Sequence, residues 1–400
     1  LCHHCPLASI ISHRNGEPAL KIAVDARTLG DCPSGIGIYL YDFIKALLAD
    51  SENTGSKLEI LLLTDIEESE QLQKLKEGGL KIEVFGKNVF RSAGVYAYFS
   101  FIRRVLLTAQ PELFWEPNNL IPIKLKGFTG KIVITVHDLF PITKPEYFRW
   151  VYRIYFKQGI RKSIRQADAF LFNSEETRQL AQKYFQQIKK KRSLVSHLIV
   201  PRPPIRAVVD DGFFLYIGNL ELRKGTDLLL AAYRIYRNAG GKRPLYLGGK
   251  IRDPEVQVLL ERSLEDFPEI RYLGYLNEAE KYDFLSRCHC FIFPSKAEGF
   301  GIPPLEAMGY EKPLILSDLS IFQEIITGGS LALPVLTFQL SDPPDMQAQK
   351  LGSLMLQDTY PVCQTGDCEK LWKRYEGQVL GKQLADFFRS LADETNKGSL

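Results

Sequence analysis

The chain has 400 residues, 45% of them hydrophobic, which is enough for two domains of ordinary size. Its 51 basic and 47 acidic residues leave a net charge of +4. This balance does not demand a nucleic-acid partner, and no zinc-finger or RNA-binding signature accompanies it. The sequence has no apolar span of about 18 residues, so no transmembrane helix is predicted. It also has no repeat of about 20 to 50 residues that would indicate a solenoid.

Residues 1–20 lie outside the patterned part of the chain, and we expect a disordered extension there. They lack the apolar core of a signal peptide, so we predict a cytoplasmic protein. The Cys-His-His-Cys run at positions 2–5 suggests metal binding, although adventitious binding or disorder is the simpler interpretation in a terminal extension. Of the seven cysteines, only Cys363 and Cys368 have framework spacing, which is consistent with reduced thiols.

The first patterned segment begins at Lys21. Ile22 to Val24 predict a strand, and Tyr39 to Leu48 predict an amphipathic helix. Between them, Gly35 and Gly37 allow the backbone to approach a ligand closely at the start of the helix, which favours a phosphate. A lone G-x-G spacing is a weak signal, however, and a purely structural turn is the alternative.

The second segment is the β-branched run from Lys131 to Val136, which predicts a buried strand. His137 follows it at once. Because ligands bind beyond the carboxyl ends of strands in open α/β folds, we expect His137 to face a cleft. The alternative is an imidazole that only caps a neighbouring carbonyl. Asp138 is predicted to orient the loop, since an exposed carboxylate is a weak proton acceptor.

A basic and aromatic segment lies between Tyr147 and Arg165. Its cations are Arg149, Arg153, Lys157, Arg161, Lys162 and Arg165, interleaved with Trp150, Tyr152, Tyr155 and Phe156. Such a helix could rest on anionic lipid. The alternative is an amphipathic helix packed on the core with a solvated basic face.

The first half of the chain ends where Ala169 to Phe172 predict its last clear strand, with Ser174 as a helix cap. The second half then repeats the alternation of strands and helices. The proline-rich stretch from Val200 to Ile205 falls where a hinge between the halves is expected. Phe213 to Ile217 then predict the first strand of the second half, followed by a turn at Gly218.

Two cations follow that turn. Arg223 and Lys224 precede a helix that is predicted to start near Thr226. Arginine offers a planar fork for phosphate oxygens and lysine a compact charge, so the pair suits a diphosphate. A solvated surface pair is the alternative, because exposed cations are common.

The most informative segment runs from Phe291 to Glu306 and reads FIFPSKAEGFGIPPLE. Its apolar start predicts an interior strand. Gly299 and Gly301 bracket Phe300, so that backbone N–H groups can approach a ligand, and the prolines after them suit the first turn of a helix. A helix that begins at the carboxyl end of a parallel strand is the usual seat of a diphosphate.

Two carboxylates flank this predicted phosphate seat. Glu298 and Glu306 would repel a phosphate, so they are better explained as acceptors for the hydroxyl groups of a sugar and a ribose. The alternative is a strand-turn-helix corner with solvated glutamates. Further on, Val335 to Asp367 lack a helical pattern and are predicted to form a variable or mobile stretch. A last amphipathic helix is predicted from Gln383 to Asp393.

From about Lys21 to about Leu333, these segments resemble, in order, the retaining glycosyltransferases of the GT-B fold and family-4 type, especially a mannosyltransferase-like branch. Glu298 and Glu306 match the E-x7-E signature of that family. The resemblance implies an α/β protein with two Rossmann-like, doubly wound domains that face each other across a nucleotide-sugar cleft. Residues 21–199 would form the acceptor domain and residues 200–380 the donor domain, with residues 381–400 returning as a helix to the first.

The resemblance also implies roles for single residues. Catalytic roles fall to His137, Arg223, Lys224 and Glu298, and substrate-binding roles to Gly35, Gly37, Gly218, Gly299, Phe300, Gly301 and Glu306. The cations would stabilise the departing nucleoside diphosphate, Glu298 would hold the donor sugar and Glu306 the ribose. Ser317 and Glu324 would lie near the nucleotide. Ile38 stands where many members have a basic residue, which puts one phosphate or acceptor contact in doubt.

The implied activity is metal-independent transfer of a hexose with retention, since the sequence has no D-x-D pair to hold a metal. We expect no cofactor. GDP-mannose is the first expected donor and a UDP-hexose the second. The acceptor would be a glycan or lipid-linked saccharide in cell-surface polysaccharide synthesis, with a peripheral contact to the inner membrane surface. The alternative is a non-catalytic relative that binds a nucleotide or glycan as a scaffold.

Overall fold

In a computed structural model of the protein, two parallel β-sheets carry the fold. The structure describes residues 19–30, 35–85, 89, 94–327, 335–363 and 365–397. Residues 1–18 of the predicted extension, with their Cys-His-His-Cys run, and residues 31–34 of the loop before Gly35 lie outside the described residues. Within them, the two sheets contain seven and six strands.

The first sheet has the strand order β3-β2-β1-β4-β5-β6-β7, with every neighbouring pair parallel. Its strands are β1 Leu20–Asp25, β2 Leu58–Thr64, β3 Lys81–Val84, β4 Leu113–Glu116, β5 Lys131–Val136, β6 Ala169–Phe172 and β7 Arg192–Val195. Its helices are α1 Gly35–Thr54, α2 Glu70–Glu77, α3 Gly94–Ala109, α4 Phe140–Thr143, α5 Trp150–Gln166 and α6 Glu175–Tyr184.

The first sheet is covered on both faces, which is why its strands are continuous apolar runs. Ile22 and Val24 of β1 join a core on one face, whereas Ala23 between them joins a second core on the other. Successive side chains of a strand point to opposite faces, so one short strand supports both cores.

The second sheet has the order β10-β9-β8-β11-β12-β13 and is also parallel. Its strands are β8 Phe214–Ile217, β9 Leu245–Gly248, β10 Ile270–Gly274, β11 Cys290–Phe293, β12 Leu314–Ser317 and β13 Leu336–Phe338. The helices that follow β8 are α7 Thr226–Asn238, α8 Pro254–Asp266, α9 Glu278–Arg287, α10 Ile302–Met308, α11 Ser320–Phe322, α12 Pro344–Met355, α13 Thr365–Lys373 and α14 Gly377–Lys397.

The strand order reverses once in each sheet, between β1 and β4 and between β8 and β11. The carboxyl ends of strands at such a reversal form a crevice in which ligands bind. This topology confirms the predicted α/β class with two doubly wound sheets. It also places the predicted site segments after β8 and β11 at the crevice of the second sheet, and the segment after β5 beside that of the first.

Two features differ from the sequence-based expectation. The prediction of a variable or mobile stretch from Val335 to Asp367 is wrong for its middle part, because α12 lies there and packs against α7, burying Leu351 and Met355. The last helix, α14, is longer than predicted and packs against α1 of the first half, where Phe388 contacts the Trp115 ring at 5.5 Å between centroids.

The cysteines among the described residues divide into two groups. Cys363 and Cys368 are joined in a disulfide, and Cys288 and Cys290 are buried free thiols. Among the described residues, no helix combines the length and the apolar character that are needed to cross a membrane.

Candidate active site

A cavity of about 600 Å³ lies between the two halves of the molecule. Both halves line it: Asn119, Asp138 and Tyr152 come from the first, and Arg223, Lys224, Glu298 and Gly299 from the second. Asp138 follows β5, Arg223 follows β8 and Glu298 follows β11, so the side chains gather at the carboxyl ends of strands of both sheets.

The two predicted cations lie on a single helical turn, Leu222–Lys224, that ends at Gly225. Gly225 has φ +71°, and a Cβ atom there would come within 2.0 Å of the Pro294 carbonyl oxygen. Only glycine therefore lets this turn pack on the loop that follows β11. Arg223 Nη1 also donates to the Ala297 carbonyl oxygen at 2.7 Å. The turn and the loop form one unit.

Lys224 and Glu298 form an ion pair at the centre of this unit. Ser295 Oγ donates a second hydrogen bond, of 2.8 Å, to the Oε1 atom of Glu298 that Lys224 contacts. Both bonds reach Oε1, so Oε2 is the carboxylate oxygen that can accept a hydroxyl group of a ligand. The two side chains are only 16% and 7% exposed, so water screens this pair little.

Arg223 contacts both halves of the molecule. Its guanidinium pairs with Glu221 and lies over the Phe140 ring, 5.4 Å from the centroid. Asp138 lies nearby in the cavity wall, and its Oδ1 accepts the Phe140 N–H at 3.0 Å. Burial raises the pKa of Asp138. The hydrogen bond from the Phe140 N–H to Asp138 orients the loop after β5, which is the role that the sequence predicted for Asp138.

Gly299 brings the second half into close contact with the first. A Cβ atom at this position would lie 2.9 Å from the His137 carbonyl oxygen and 3.3 Å from Asn173 Nδ2. A larger residue would hold the two halves apart. Phe300 is buried, with its ring 5.7 Å from that of Tyr375, so its side chain packs in the core and leaves only its backbone for a ligand.

The imidazole of His137 is buried rather than open to the cavity. Its Nε2 lies 2.8 Å from the Pro117 carbonyl oxygen, and the Tyr39 ring meets it edge-on. Burial lowers the pKa of His137 to about 4, against the raising effect of the carbonyl. The ring is therefore neutral and donates from Nε2. The expected cleft-facing orientation is wrong for this side chain, and a contact with the transferred sugar stays a prediction.

Glu306 is also buried, on α10. Its Oε1 lies 2.5 Å from Lys281 Nζ and 3.5 Å from the Tyr282 hydroxyl. Burial raises its pKa, although Lys281 opposes the effect. Glu306 does not line the cavity beside Glu298. The structure thus brings Arg223, Lys224, Glu298 and Gly299 together but holds Glu306 apart, and its ribose role stays a prediction.

The remaining predicted glycines lie at element ends. Gly35 is the first residue of α1, and Gly37 is buried in the same helix. Gly218 follows β8 and donates its N–H to the Gly248 carbonyl oxygen at 2.9 Å. Gly301 precedes α10 with φ +103°. These positions are compatible with the predicted phosphate contacts, which stay predictions.

Glu324 was expected near the nucleotide, but its carboxylate reaches the first half. It accepts the N–H groups of Glu175 at 2.7 Å and Glu176 at 3.1 Å, at the start of α6, and lies 3.0 Å from His197 Nε2. The sequence did not predict the contact of Glu324 with α6 or the close packing of Gly225 against Pro294. For Gly225, the sequence signal was its position directly after the two cations Arg223 and Lys224.

Comparison with known proteins identifies the family. Residues 33–199 match the model of "Glycosyltransferase Family 4" and residues 202–354 that of "Glycosyl transferases group 1". The O-antigen chain mannosyltransferase RfbU of Salmonella typhimurium is 24% identical over 59% of this chain and 65% of its own length. The O-antigen chain mannosyltransferase B of Escherichia coli is 28% identical over 59% of this chain and 62% of its own length. Each match spans somewhat less than two thirds of the relative.

Solved structures show the same fold. Anabaena Alr3699/HepE, in complex with UDP and glucose, superposes with a TM-score of 0.68 at 15% identity, over 93% of this chain and all of that one. WaaG, a glycosyltransferase involved in lipopolysaccharide biosynthesis, gives a TM-score of 0.63 at 13% identity, over 92% and 99%. The chain belongs to the glycosyltransferases of the GT-B fold and family-4 type.

Proposed function

We propose that the protein transfers a hexose from a nucleoside-diphosphate sugar to a saccharide acceptor, with retention at the anomeric carbon and without a metal ion. The observation that carries the proposal is the Lys224–Glu298 pair beside Arg223 in the wall of the cavity between the halves. Two cations and one carboxylate match the charges and hydroxyl groups of such a donor.

The cations would stabilise the leaving group. When the bond between the sugar and the diphosphate breaks, negative charge grows on the phosphate oxygens, and preorganised cations in a poorly screened site lower the energy of that state. Arg223 and Lys224 supply this charge. Glu298 Oε2 would accept a hydroxyl group of the donor sugar. The acceptor oxygen would attack from the face that the diphosphate leaves, and the diphosphate would take the acceptor proton.

Mannose is the first candidate for the transferred sugar, because both relatives described above are named as mannosyltransferases. A UDP-hexose is the second, because the Anabaena structure contains UDP and glucose. The O-antigen relatives also support a role in cell-surface polysaccharide synthesis with a glycan or lipid-linked acceptor. A non-catalytic scaffold was the alternative, favoured by Ile38 in place of a basic residue and by the segment without a helical pattern after Leu333. The second of these observations no longer favours it, because α12 lies in that segment.

A peripheral contact with anionic lipid is the second part of the proposal. Trp150 is 69% exposed, Val151 58% and Ile154 49%, all on the first turns of α5. Arg153 and Lys157 share this exposed surface. Apolar side chains surrounded by cations suit the boundary between lipid head groups and acyl chains.

The test is a donor screen. Purified protein is incubated with GDP-mannose and UDP-hexoses in the presence of EDTA, and released GDP or UDP is measured with and without saccharide acceptors. We expect release from one donor, and NMR of the product should show the anomeric configuration of the donor. Release that requires an added divalent cation, or a product of inverted configuration, would refute the corresponding part of the proposal.

A further inference from the structure

Ser295 is the second residue after β11, and it is completely buried. Its carbonyl oxygen accepts a hydrogen bond of 2.5 Å from the hydroxyl of Ser317, the last residue of β12. Its own hydroxyl oxygen, Oγ, lies 2.8 Å from Glu298 Oε1. This one residue therefore links a strand of the second sheet to the carboxylate in the wall of the cavity.

The Ser295 hydroxyl has one proton and three oxygen atoms within reach. They are Glu298 Oε1 at 2.8 Å, the Ala297 carbonyl oxygen at 3.3 Å and the Arg223 carbonyl oxygen at 3.5 Å. Both carbonyl oxygens already accept other donors: Ala297 accepts Arg223 Nη1 at 2.7 Å, and Arg223 accepts the Lys296 N–H at 2.9 Å. The carboxylate is the nearest acceptor and the charged one, and hydrogen bonds to charged acceptors are the stronger ones. The proton of Ser295 therefore goes to Glu298.

Lys224 is the other partner of Glu298 Oε1, and its situation differs from that of Ser295. Its ammonium group sits on a long flexible stem and lies over the Phe293 ring, 5.5 Å from the centroid. In the proposed transfer the same ammonium also stabilises the departing diphosphate. Its hold on Glu298 then weakens as negative charge grows on the phosphate oxygens. Ser295 has a short side chain and stays anchored to the sheet, so its bond to Glu298 is the one that persists.

We propose that Ser295 is a positioning residue of the transfer reaction. Its hydroxyl holds Glu298 Oε1, so that Oε2 stays turned to the donor sugar while Lys224 is drawn to the diphosphate. The inference rests on the proposed function and deepens it, because it assigns Ser295 to recognition of the sugar and not of the nucleotide. Since Ser295 is completely buried, it acts through Glu298 and not on the ligand itself.

Loss of this hydroxyl should affect one part of the donor and spare the other. Without Ser295 Oγ, the carboxylate of Glu298 can rotate away from the sugar, so the contact with a sugar hydroxyl weakens. Arg223 and Lys224 still meet the diphosphate, so a free nucleoside diphosphate should bind as before. A loop that is merely displaced or unfolded would weaken both ligands, because Lys224 and Arg223 contact the same loop.

The test is calorimetry with EDTA present, which compares GDP-mannose with GDP and UDP-glucose with UDP. The variants are Ser295→Ala and Ser295→Cys, because a thiol fills the space of the hydroxyl but is a weak donor. We expect both variants to bind the nucleotide sugar about tenfold more weakly, because a hydrogen bond to a charged group is lost. Binding of the free nucleotide should not change. Ser286→Ala is the matched control, since it removes another buried hydroxyl of the second half, which donates to the Asp283 carbonyl oxygen at 2.8 Å.

A double variant shows whether Ser295 acts through Glu298. The combination of Glu298→Gln with Ser295→Ala should bind the nucleotide sugar as Glu298→Gln alone does, because two residues that act as one unit are not additive. A further weakening in the double variant would overturn the inference. Melting temperatures equal to that of the parent protein show that the variants are folded, and Ser295→Cys decides alone if Ser295→Ala does not fold.

Other outcomes also count against Ser295. The inference is overturned if Ser295→Ala binds the nucleotide sugar like the control, if nucleotide binding falls by the same factor, or if Ser295→Cys binds like the parent protein. Release of GDP or UDP by the parent protein is recorded in parallel. If the parent protein binds a nucleotide sugar but transfers nothing, the proposed transfer is wrong, whereas the binding ratios still decide on Ser295. If it binds neither nucleotides nor nucleotide sugars, both proposals are overturned.

Discussion

The carboxylate of Glu324, in the second half of the molecule, caps a helix of the first half by accepting the N–H of Glu175 at 2.7 Å. The same carboxylate accepts the N–H of Glu176 and contacts His197 in the connecting segment. A negative charge at the start of a helix is stabilised by the helix dipole and by N–H groups that have no partner within the helix. Glu324 thus joins the two halves of the molecule.

Removing this carboxylate should loosen the contact between the halves. In Glu324→Ala we expect amide hydrogen exchange at Glu175 and Glu176 to accelerate at least about tenfold, because each hydrogen bond to a charged group contributes ~1.5–3 kcal/mol. Exchange is measured by mass spectrometry of peptides from α6. Glu280→Ala, which removes a cap of α9 within one half, is the matched control and should accelerate exchange only in α9. Unchanged exchange in α6 would refute the fastening role.

The contact of Glu324 with the start of α6 should persist in weakly acidic solution. Burial raises the pKa of Glu324, but the hydrogen bonds from His197 and the two N–H groups outweigh it and lower the pKa. A carboxylate with a lowered folded pKa contributes stability above its unfolded pKa and loses it only as the pH falls through the lower folded value. Protection factors at Glu175 and Glu176 should therefore be equal between about pH 8 and about pH 5. A loss of protection near pH 6 would contradict this assignment.

His137 should remain neutral in weakly acidic solution. Burial lowers its pKa to about 4, so NMR of ¹³C-labelled histidine should give a midpoint near 4 for the residue that is absent in His137→Gln. Because the folded pKa lies below the unfolded value, the stability from this residue is complete above about pH 6.5 and declines as the pH falls toward 4, with a loss of about 2 kcal/mol at pH 5. A midpoint near 6.5 would show that the ring is open to water.

Replacing Gly225 by alanine should destabilise the protein more than the same change at Gly55, which has a similar φ angle but no close neighbours. Gly225 and Gly55 have φ +71° and +68°, but a Cβ atom at Gly225 meets Pro294, whereas at Gly55 nothing lies within 4 Å. Gly55→Ala should lose about 1 kcal/mol from the left-handed backbone alone, and Gly225→Ala at least ~2–3 kcal/mol in urea unfolding. Equal losses would show that the turn does not need its close contact with the loop after β11.

The lipid contact is testable with matched apolar positions. Ile154 on α5 and Val258 on α8 are 49% and 47% exposed. Ile154 has Trp150 and the cations Arg153 and Lys157 at neighbouring positions of its helix, whereas Val258 has two glutamates and one arginine. We expect the protein to sediment with vesicles that contain phosphatidylglycerol and not with pure phosphatidylcholine, since each cation near an anionic surface contributes about 1 kcal/mol. Ile154→Asp should reduce this binding strongly and Val258→Asp should not. Equal binding of the two variants would contradict the proposed surface.

Local patterns predicted the strands well because buried parallel strands are continuous apolar runs, as Lys131–Val136 and Ala169–Phe172 show. The helix α12 was missed because Pro343 and Pro344 look like helix breakers. In the structure they stand at the start of the helix, where the missing N–H of proline is not needed.

Part of the candidate site could be predicted from the sequence, because several of its residues directly follow predicted strands. Arg223, Lys224 and Glu298 follow predicted strands, and the ends of parallel strands meet in space. The fastening by Glu324 was not accessible, because its partner Glu175 is 149 residues away and no local pattern joins them. The burial of His137 and Glu306 likewise depends on packing between elements, which single-residue patterns do not reveal.

Sugar transfer should depend on the Lys224–Glu298 pair in the wall of the cavity. The most direct test compares kcat/KM for release of nucleoside diphosphate, with EDTA present, in the parent protein, Lys224→Ala and Glu298→Gln. The control is Lys74→Ala, which breaks an exposed Lys–Glu pair on α2. We predict a loss of at least about 100-fold for each of the two site variants and none for the control, as expected for groups that stabilise a developing charge. Transfer at the parent rate in Lys224→Ala and Glu298→Gln would contradict the account.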